Sequence, residues 1–343
     1  MSTLLEARRI SASYRVDSDG PRIRAVDDVS LTLEEGEALG VAGESGCGKS
    51  TLASILSLNV HPPLQVTGGR LRVAGHDIPL DGINGGRVAT GLRGKVVALL
   101  PQGAMNALNP TLRVRDFVYD VLRSHVAGIT RKEAIARATE RLERLALPPR
   151  VLDAYPHQLS GGMRQRVVAV VSTLLDPDVL IADEPTSALD VSSQRALLAL
   201  LSHLLEQRII RGIVFITHEL PLLRYIAHRI AIMYAGQLVE VGPAEEVLFQ
   251  PAHPYTKVLM EATIVLETGT RRQRIQTVGG APPNLVSPPP GCRFHPRCPV
   301  AMGRCSREAP PVVDVGAGHS AVCWWVAEQR AGEAGSMSHA ASN

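Results

Sequence analysis

Aromatic side chains are scarce: four Phe, two Trp and six Tyr make 12 of 343 residues, about 3%. Apolar residues still reach 45%. A sizeable core therefore has to be built from Ala, Val, Leu and Ile, and global disorder is excluded. Lysine is rarer yet, with only Lys49, Lys95, Lys132 and Lys257, so nearly all positive charge is arginine. The balance of 36 basic against 33 acidic residues leaves +3, too little for a protein that coats nucleic acid. No uninterrupted apolar run of about 18 residues occurs. The best candidate, 167–182, is broken by Asp176, Pro177 and Asp178, so no membrane span is expected. Residues 1–10 lack the apolar centre of a signal peptide. Five cysteines are too few for a secreted disulfide scaffold of this length, yet four of them crowd between Cys292 and Cys323. Length alone suggests one large domain with an appendage, or two domains.

Short aliphatic or alternating runs at 4–12, 29–33 and 38–42 read as strands, punctuated by turn residues at 17–21 and 34–36. A helix is expected from 49 to about 58. Further apolar runs at 95–100, 179–182 and 212–216 each precede a polar or helical stretch, the βα rhythm of a mostly parallel sheet. Residues 112–147, rich in Ala, Leu, Arg and Glu at helical spacing, read as a helical insertion. Beyond Pro243 the character changes. Residues 281–311 hold nine of the 24 prolines as well as most of the cysteine cluster, and read as an irregular, stapled module reached through a linker near 267–280. The basic run Arg271-Arg272-Gln273-Arg274 reads as solvated linker. Residues 327–343, small and polar, are expected to be disordered. No internal repeat is visible.

The chemistry begins at Gly43-Glu44-Ser45-Gly46-Cys47-Gly48-Lys49-Ser50-Thr51, which fits G-x-x-x-x-G-K-[ST] between an expected strand and an expected helix. Its glycines let consecutive backbone N–H groups turn toward phosphates, and the helix N-terminus adds its positive dipole end. Lys49 would neutralise phosphate charge and Ser50 would hold Mg²⁺. Cys47 sits at a free position of the motif and reads as a small filler. The aliphatic strand 179–182 delivers Asp183 and Glu184 at its end. Such a strand supplies the second half of a phosphate site, with Asp183 toward Mg²⁺ and Glu184 placed to polarise the attacking water.

Leu159-Ser160-Gly161-Gly162-Met163, about twenty residues before Asp183, resembles the signature motif of the ATP-binding cassette (ABC) ATPases. Met163 departs from the commonest fifth residue, Gln. Ser160 is placed to cap a helix and the two glycines expose N–H groups, a second anion site. The resemblance implies a head-to-tail dimer in which each ATP is sandwiched between one subunit's phosphate loop and the other's signature. The remaining family elements fall in order along residues 4–250. Tyr14 matches the aromatic that stacks on adenine. Gln102 matches the glutamine that reaches Mg²⁺ and the attacking water. Ser187 to Asp190 match the loop that crosses the dimer interface, and His218 the switch histidine at the γ-phosphate. The implied fold is α/β: a P-loop ABC nucleotide-binding domain over 1–250, with an antiparallel β subdomain and a helical subdomain at about 103–160.

Gln250-Pro251-Ala252-His253-Pro254-Tyr255-Thr256 and Gly291-Cys292-Arg293-Phe294-His295-Pro296-Arg297-Cys298-Pro299 are similar to the C-terminal extension of oligopeptide/dipeptide importer ATPases, here 251–326. The spacing Cys292-x5-Cys298-x6-Cys305-x17-Cys323 matches neither a zinc ribbon nor the commonest ferredoxin runs. Taken alone it leaves an Fe–S cluster, zinc, and free thiols or disulfides all open. The resemblance implies a [4Fe–4S] cluster on these four residues, with His295 and His319 as alternative ligands that read better as structural. It further implies an ATP- and Mg²⁺-dependent ATPase at the cytoplasmic face of the membrane. Its partners would be a second ATPase subunit, two permeases and an extracytoplasmic solute-binding protein, and its solutes peptides. Relatives within the same machinery carry oligosaccharides or nickel. A soluble ABC ATPase and a redox-sensing ATPase are the rivals from other classes.

Overall fold

The computed structural model describes residues 2–15, 20–79, 91–103, 107–268 and 279–340. The expected linker falls mostly outside these residues, as does the Arg271–Arg274 run. Two sheets organise the chain. Strands β1 (Thr3–Arg15), β2 (Arg22–Glu34), β4 (Leu64–Val73) and β5 (His76–Ile78) form an antiparallel sheet in the order β2-β1-β4-β5. The larger sheet uses β3 (Ala38–Ala42), β6 (Val97–Leu100), β7 (Val179–Asp183), β8 (Gly212–Thr217), β9 (Arg229–Tyr234), β10 (Gln237–Pro243), β11 (Val312–Gly316) and β12 (His319–Val322). Its order is β11-β12-β10-β9-β3-β8-β7-β6. From β9 to β6 all neighbours are parallel, and from β9 outward to β11 all are antiparallel.

The parallel strands were legible because every residue of β3, β7 and β8 is buried, the near-continuous apolar reading of a sheet covered on both faces. Period-two alternation then splits each strand between two cores. Leu39, Val41, Val179, Ile181, Val214 and Ile216 face the antiparallel sheet and helix α1 (Lys49–Leu56). Ala38, Leu180, Ala182, Ile213 and Phe215 face the helices on the other side.

Those helices are α2 (Val114–His125), α3 (Arg131–Arg144), α4 (Gly161–Ser172), α5 (Val191–Glu206) and the short α6 (Leu220–Leu223). The expected insertion at 112–147 thus resolves into α2 and α3. Helix α3 begins at a capping box in which Thr130 Oγ1 accepts from Glu133 N and Glu133 accepts from Thr130 N. Arg141, buried on α3, donates to the Thr173 carbonyl at 2.5 Å and pairs with Asp176, tying the insertion to the C-terminal end of α4.

The C-terminal part departs from the sequence reading. Residues 281–311 are irregular as expected, but the chain then returns as a hairpin, and β12 joins the edge of the larger sheet through Glu240↔Ala321 and Val241↔Ser320. Helices α7 (Ala244–Phe249) and α8 (Pro254–Thr268) precede it. Helix α9 (Trp324–Ala340) runs through most of the stretch expected to be disordered. Its physical basis is composition: Ala, Glu, Gln and Arg at 327–331 are good helix formers. Residues 341–343 lie outside the described part.

Candidate functional site

Four parallel strands deliver their C-terminal ends to one place, where ligands of open α/β sheets collect. After β3 the chain curls through Gly43, Gly46 and Gly48, all at positive φ, before α1 starts at Lys49. Lys49 is buried and its Nζ donates to the Gly43 carbonyl at 2.7 Å and the Glu44 carbonyl at 3.0 Å. Cys47 fills the space beneath the loop, as its free position in the motif suggested, and burial pushes its thiol pKa up. Its carbonyl accepts from Gly236 N at 2.8 Å, which ties the loop to the β9–β10 turn.

The other three strand ends converge on it. Ser50 Oγ donates to Asp183 Oδ1 at 3.2 Å. Burial raises the Asp183 carboxyl, against a smaller lowering by the Ser50 hydroxyl, so a cation is the natural partner of its ionised form. Glu184 has left-handed backbone, φ +44°, and is held there by its N–H on the Ile216 carbonyl at 2.9 Å. Its carboxylate lies between two neighbours: Gln102 Nε2 donates to Oε2 at 3.2 Å, and His218 Nδ1 sits 3.2 Å from Oε1. Tyr14 OH lies 3.1 Å from Thr51 Oγ1. Tyr14, Ser45, Gly46, Gly48, Lys49, Ser50, Thr51, Gln102 and Glu184 share one open cleft of about 460 Å³.

The lining of that cleft includes none of Ser160, Gly161, Gly162, Met163, Ser187 and Asp190. These residues meet elsewhere. Ser160 caps α4 and accepts from Met163 N at 3.2 Å. Asp190 caps α5, accepting from Ser193 N at 2.9 Å and from two serine hydroxyls, which hold its carboxyl well below the usual range. A Cβ on Gly162 would lie 2.5 Å from Ser193 Oγ. The glycine at the start of α4 therefore allows the close approach of α5. Ser187 N–H donates to the Glu184 carbonyl at 3.1 Å and links this second group to the first.

Comparison with known proteins agrees with this geometry. Residues 26–187 match the ABC transporter family, and residues 239–305 match the oligopeptide/dipeptide transporter C-terminal region. The chain is 37% identical over 311 residues to the dipeptide transport ATP-binding protein DppD of Caldanaerobacter subterraneus subsp. tengcongensis, covering 90% of this chain and 93% of that one. It is 36% identical over 334 residues to DppD of Bacillus subtilis, covering 96% and 97%. The di/tripeptide transport ATP-binding protein DppF of Pseudomonas aeruginosa is 38% identical over 314 residues, covering 90% and 94%.

The chain belongs to the ABC transporter ATPases of the oligopeptide/dipeptide importer type. Among solved structures, a dimeric post-hydrolysis state of an ATP-binding cassette bound to ADP and Pi superposes with a TM-score of 0.58 at 25% identity, covering 70% of this chain and 98% of that one. This ABC ATPase carries no helix, among its described residues, long and apolar enough to cross a membrane.

Its four clustered cysteines come together from separate elements. Cys292 N–H donates to the Cys305 carbonyl at 2.8 Å, Cys298 follows a short 3₁₀ turn (His295–Arg297), and Cys323 accepts from Ala327 N at the start of α9. None of the four forms a disulfide. Burial pushes Cys292 and Cys298 up to about 11, and the charges of the other clustered cysteines push in the same direction, so the four share one neighbourhood. Among the described residues, however, no three or more His, Cys, Asp or Glu side chains are arranged to hold a metal ion. His295 Nδ1 rests 2.9 Å from the Cys292 carbonyl, and His319 Nε2 lies 2.7 Å from Glu240 Oε1, so both rings already have protein partners.

Three residues at or behind the nucleotide cleft had no role there assigned from sequence, although Tyr255 and Arg297 sit in the C-terminal motifs. Leu285 lines it from the C-terminal region and accepts from Arg24 N at 3.0 Å. Tyr255 OH accepts from Glu44 N at 2.9 Å. Arg297 pairs with the Glu44 carboxylate. Each contact spans more than two hundred residues of chain, beyond the reach of periodicity or local spacing.

Proposed function

We propose that this ABC ATPase couples ATP hydrolysis to the uptake of di- and oligopeptides, working at the cytoplasmic face of the membrane with a second ATPase, two permeases and an extracytoplasmic solute-binding protein. The observation that carries the chemistry is the Glu184 carboxylate, held at the cleft between Gln102 and His218. Tyr14 stacks on adenine, and the Gly43–Thr51 loop with Lys49 receives the phosphates. Mg²⁺, which neutralises phosphate charge when bound, would be held by Ser50, Asp183 and Gln102, and the convergence of the Ser50 hydroxyl and the Asp183 carboxylate fits that group. Glu184 takes a proton from the attacking water, and His218 and Gln102 orient its carboxylate. That Ser160, Gly161, Gly162 and Met163 lie outside the lining of this cleft supports their serving a partner's ATP, with Ser187 and Asp190 at the interface between the two subunits.

An open apolar groove of about 300 Å³ beside Gln102, lined by Leu99, Pro101, Ala107, Phe117, Val121 and Val171, supports docking of a permease segment against α2 and α4. In the C-terminal region, the four-thiol donor set of Cys292, Cys298, Cys305 and Cys323 is the chemistry a [4Fe–4S] cluster takes, and a cluster there would cross-link a segment otherwise held by short turns, although the described side chains are not gathered into a metal-holding group. The solute assignment rests on the names of the relatives. Glu184→Gln is the test of the site: it should retain ATP binding and lose turnover by about 10²-fold or more in the transporter assembled with its partners. Normal steady-state hydrolysis by that variant would refute the base assignment.

A further inference from the structure

The segment from Gly291 to Cys298 inserts two side chains behind the phosphate loop. Phe294 is 1% exposed and packs edge-on against Tyr234 at 5.2 Å and Tyr255 at 5.3 Å between ring centroids. One turn on, the Arg297 guanidinium meets the Glu44 carboxylate in a two-pronged pair, Nη1 to Oε2 at 2.7 Å and Nη2 to Oε1 at 2.9 Å. Two further donors are used, Nη1 on Tyr234 OH at 3.2 Å and Nε on the Gly279 carbonyl at 2.7 Å. The Arg297 side chain is 6% exposed and that of Glu44 20%, so water screens this pair far less than a surface pair.

Glu44 is the first residue after Gly43, and the loop is gripped through it at three points. Its carboxylate is held by Arg297, its N–H donates to the buried Tyr255 hydroxyl, and its carbonyl accepts from Lys49 Nζ. A loop with three glycines at positive φ has more conformations to lose on binding than most. Fixing one end in advance lowers what phosphate binding has to spend on ordering it. Arginine suits the role because its planar fork matches a carboxylate in both distance and direction.

We propose that Arg297 is a positioning residue of the ATP site, setting the curl of the phosphate loop through Glu44, so that the C-terminal region is a working part of nucleotide binding. The proposal deepens the ATP-site reading above and rests on it. A positioning role through the ground-state loop separates binding from chemistry: Arg297 grips Glu44 at the start of the loop, with Tyr234 and Gly279 as further partners, so turnover at saturating ATP should be spared.

The experiment measures ATP affinity of the purified full-length chain by equilibrium binding, and kcat and KM for ATP in the transporter assembled with its partners. Arg297→Met keeps the apolar stem against Tyr234 and removes the fork. It should weaken ATP binding roughly tenfold and raise KM to match, a change worth about 1.4 kcal/mol, with kcat within about twofold. Arg297→Lys, which keeps charge without the fork, should fall between Met and wild type. Glu44→Gln should resemble Arg297→Met, and the double variant should be no weaker than either single one, because both remove the same interaction. If Arg297→Met fails to fold, the Lys and Gln variants carry the same comparison. Unchanged ATP affinity in a folded Arg297→Met protein, or losses that multiply in the double variant, would overturn the proposal. A wild-type chain that bound no ATP would instead overturn the ATP-site reading itself.

Discussion

Gly46 and Gly48 both hold positive φ in the same loop, yet only one is walled in. A Cβ on Gly46 (φ +80°) would meet nothing within 4 Å, whereas on Gly48 (φ +108°) it would lie 1.9 Å from the Ala25 carbonyl oxygen. The strain of left-handed backbone, roughly 1–2 kcal/mol for an L-residue, applies to both. Only Gly48 adds a collision with backbone, and that backbone belongs to Ala25, which itself lines the nucleotide cleft. Gly46→Ala should therefore cost about 1 kcal/mol in chemical denaturation and keep most of its ATP affinity. Gly48→Ala should cost at least about twice as much and lose ATP binding, read by the same equilibrium assay. Equal behaviour of the two variants would show that the loop relaxes around the added carbon. The chemistry-bearing residues of this loop were legible from sequence because the constraint is local: glycines, Lys49 and Ser50 must follow one another. The part that Tyr255 and Arg297 play in holding the loop was not, although both sit in the C-terminal motifs, because that constraint is purely tertiary.

Among the elements, β10 shows where sequence reading stopped. The change of character beyond Pro243, the proline density downstream and the family resemblance suggested that the cassette ended near 250 and that a separate stapled module followed. Instead β10 accepts β12 as a neighbour, and a polar cluster seals the junction. Glu240, 1% exposed, accepts from Ala252 N at 2.6 Å and His253 N at 3.0 Å, and lies 2.7 Å from His319 Nε2. A buried carboxylate satisfied by two backbone amides and a distant imidazole leaves no periodic trace. The parallel strands β3, β7 and β8 were readable for the opposite reason, since burial on both faces favours small or apolar residues at nearly every position. His253 is fully buried, and desolvation lowers its pKa to about 4 although the Glu240 charge opposes this. Folded His253 thus stays neutral while the unfolded chain takes up a proton below about pH 6.5. Stability is complete above that pH and falls as pH drops toward 4, by an amount on the order of 3 kcal/mol. His253→Asn, whose side-chain oxygen can replace Nδ1 as acceptor for Tyr255 N, should lose less stability across this window in urea unfolding at pH 7, 5.5 and 4.5. Parallel losses in the two proteins would assign the acid sensitivity elsewhere.

For the molecule as a whole, the C-terminal region reaches the cassette at four separate places. Hairpin β11–β12 extends the larger sheet. Arg293 donates to the Ala235 carbonyl and pairs with Asp27, Arg297 pairs with Glu44, and Phe294 belongs to the same core cluster as Leu180 and Phe215. An appendage joined by a linker would melt on its own, and the cassette would not notice its loss. Contacts spread from the sheet edge to the phosphate loop predict one cooperative unit. Ending the chain at Thr268 would remove Phe294 from between Tyr234 and Tyr255, leave Glu44 without Arg297, and strip β10 of its neighbour. Losing one buried Phe alone costs about 3–5 kcal/mol, a large share of the roughly 5–15 kcal/mol that holds a domain. The truncated chain should therefore unfold at markedly lower denaturant and bind ATP weakly even where it stays folded, whereas the full chain should show a single calorimetric transition that ATP shifts upward. Two transitions in the full chain, only one of them moved by ATP, would mean that the cassette and its C-terminal region fold separately, and that the contacts at Glu44 and Asp27 contribute little to either.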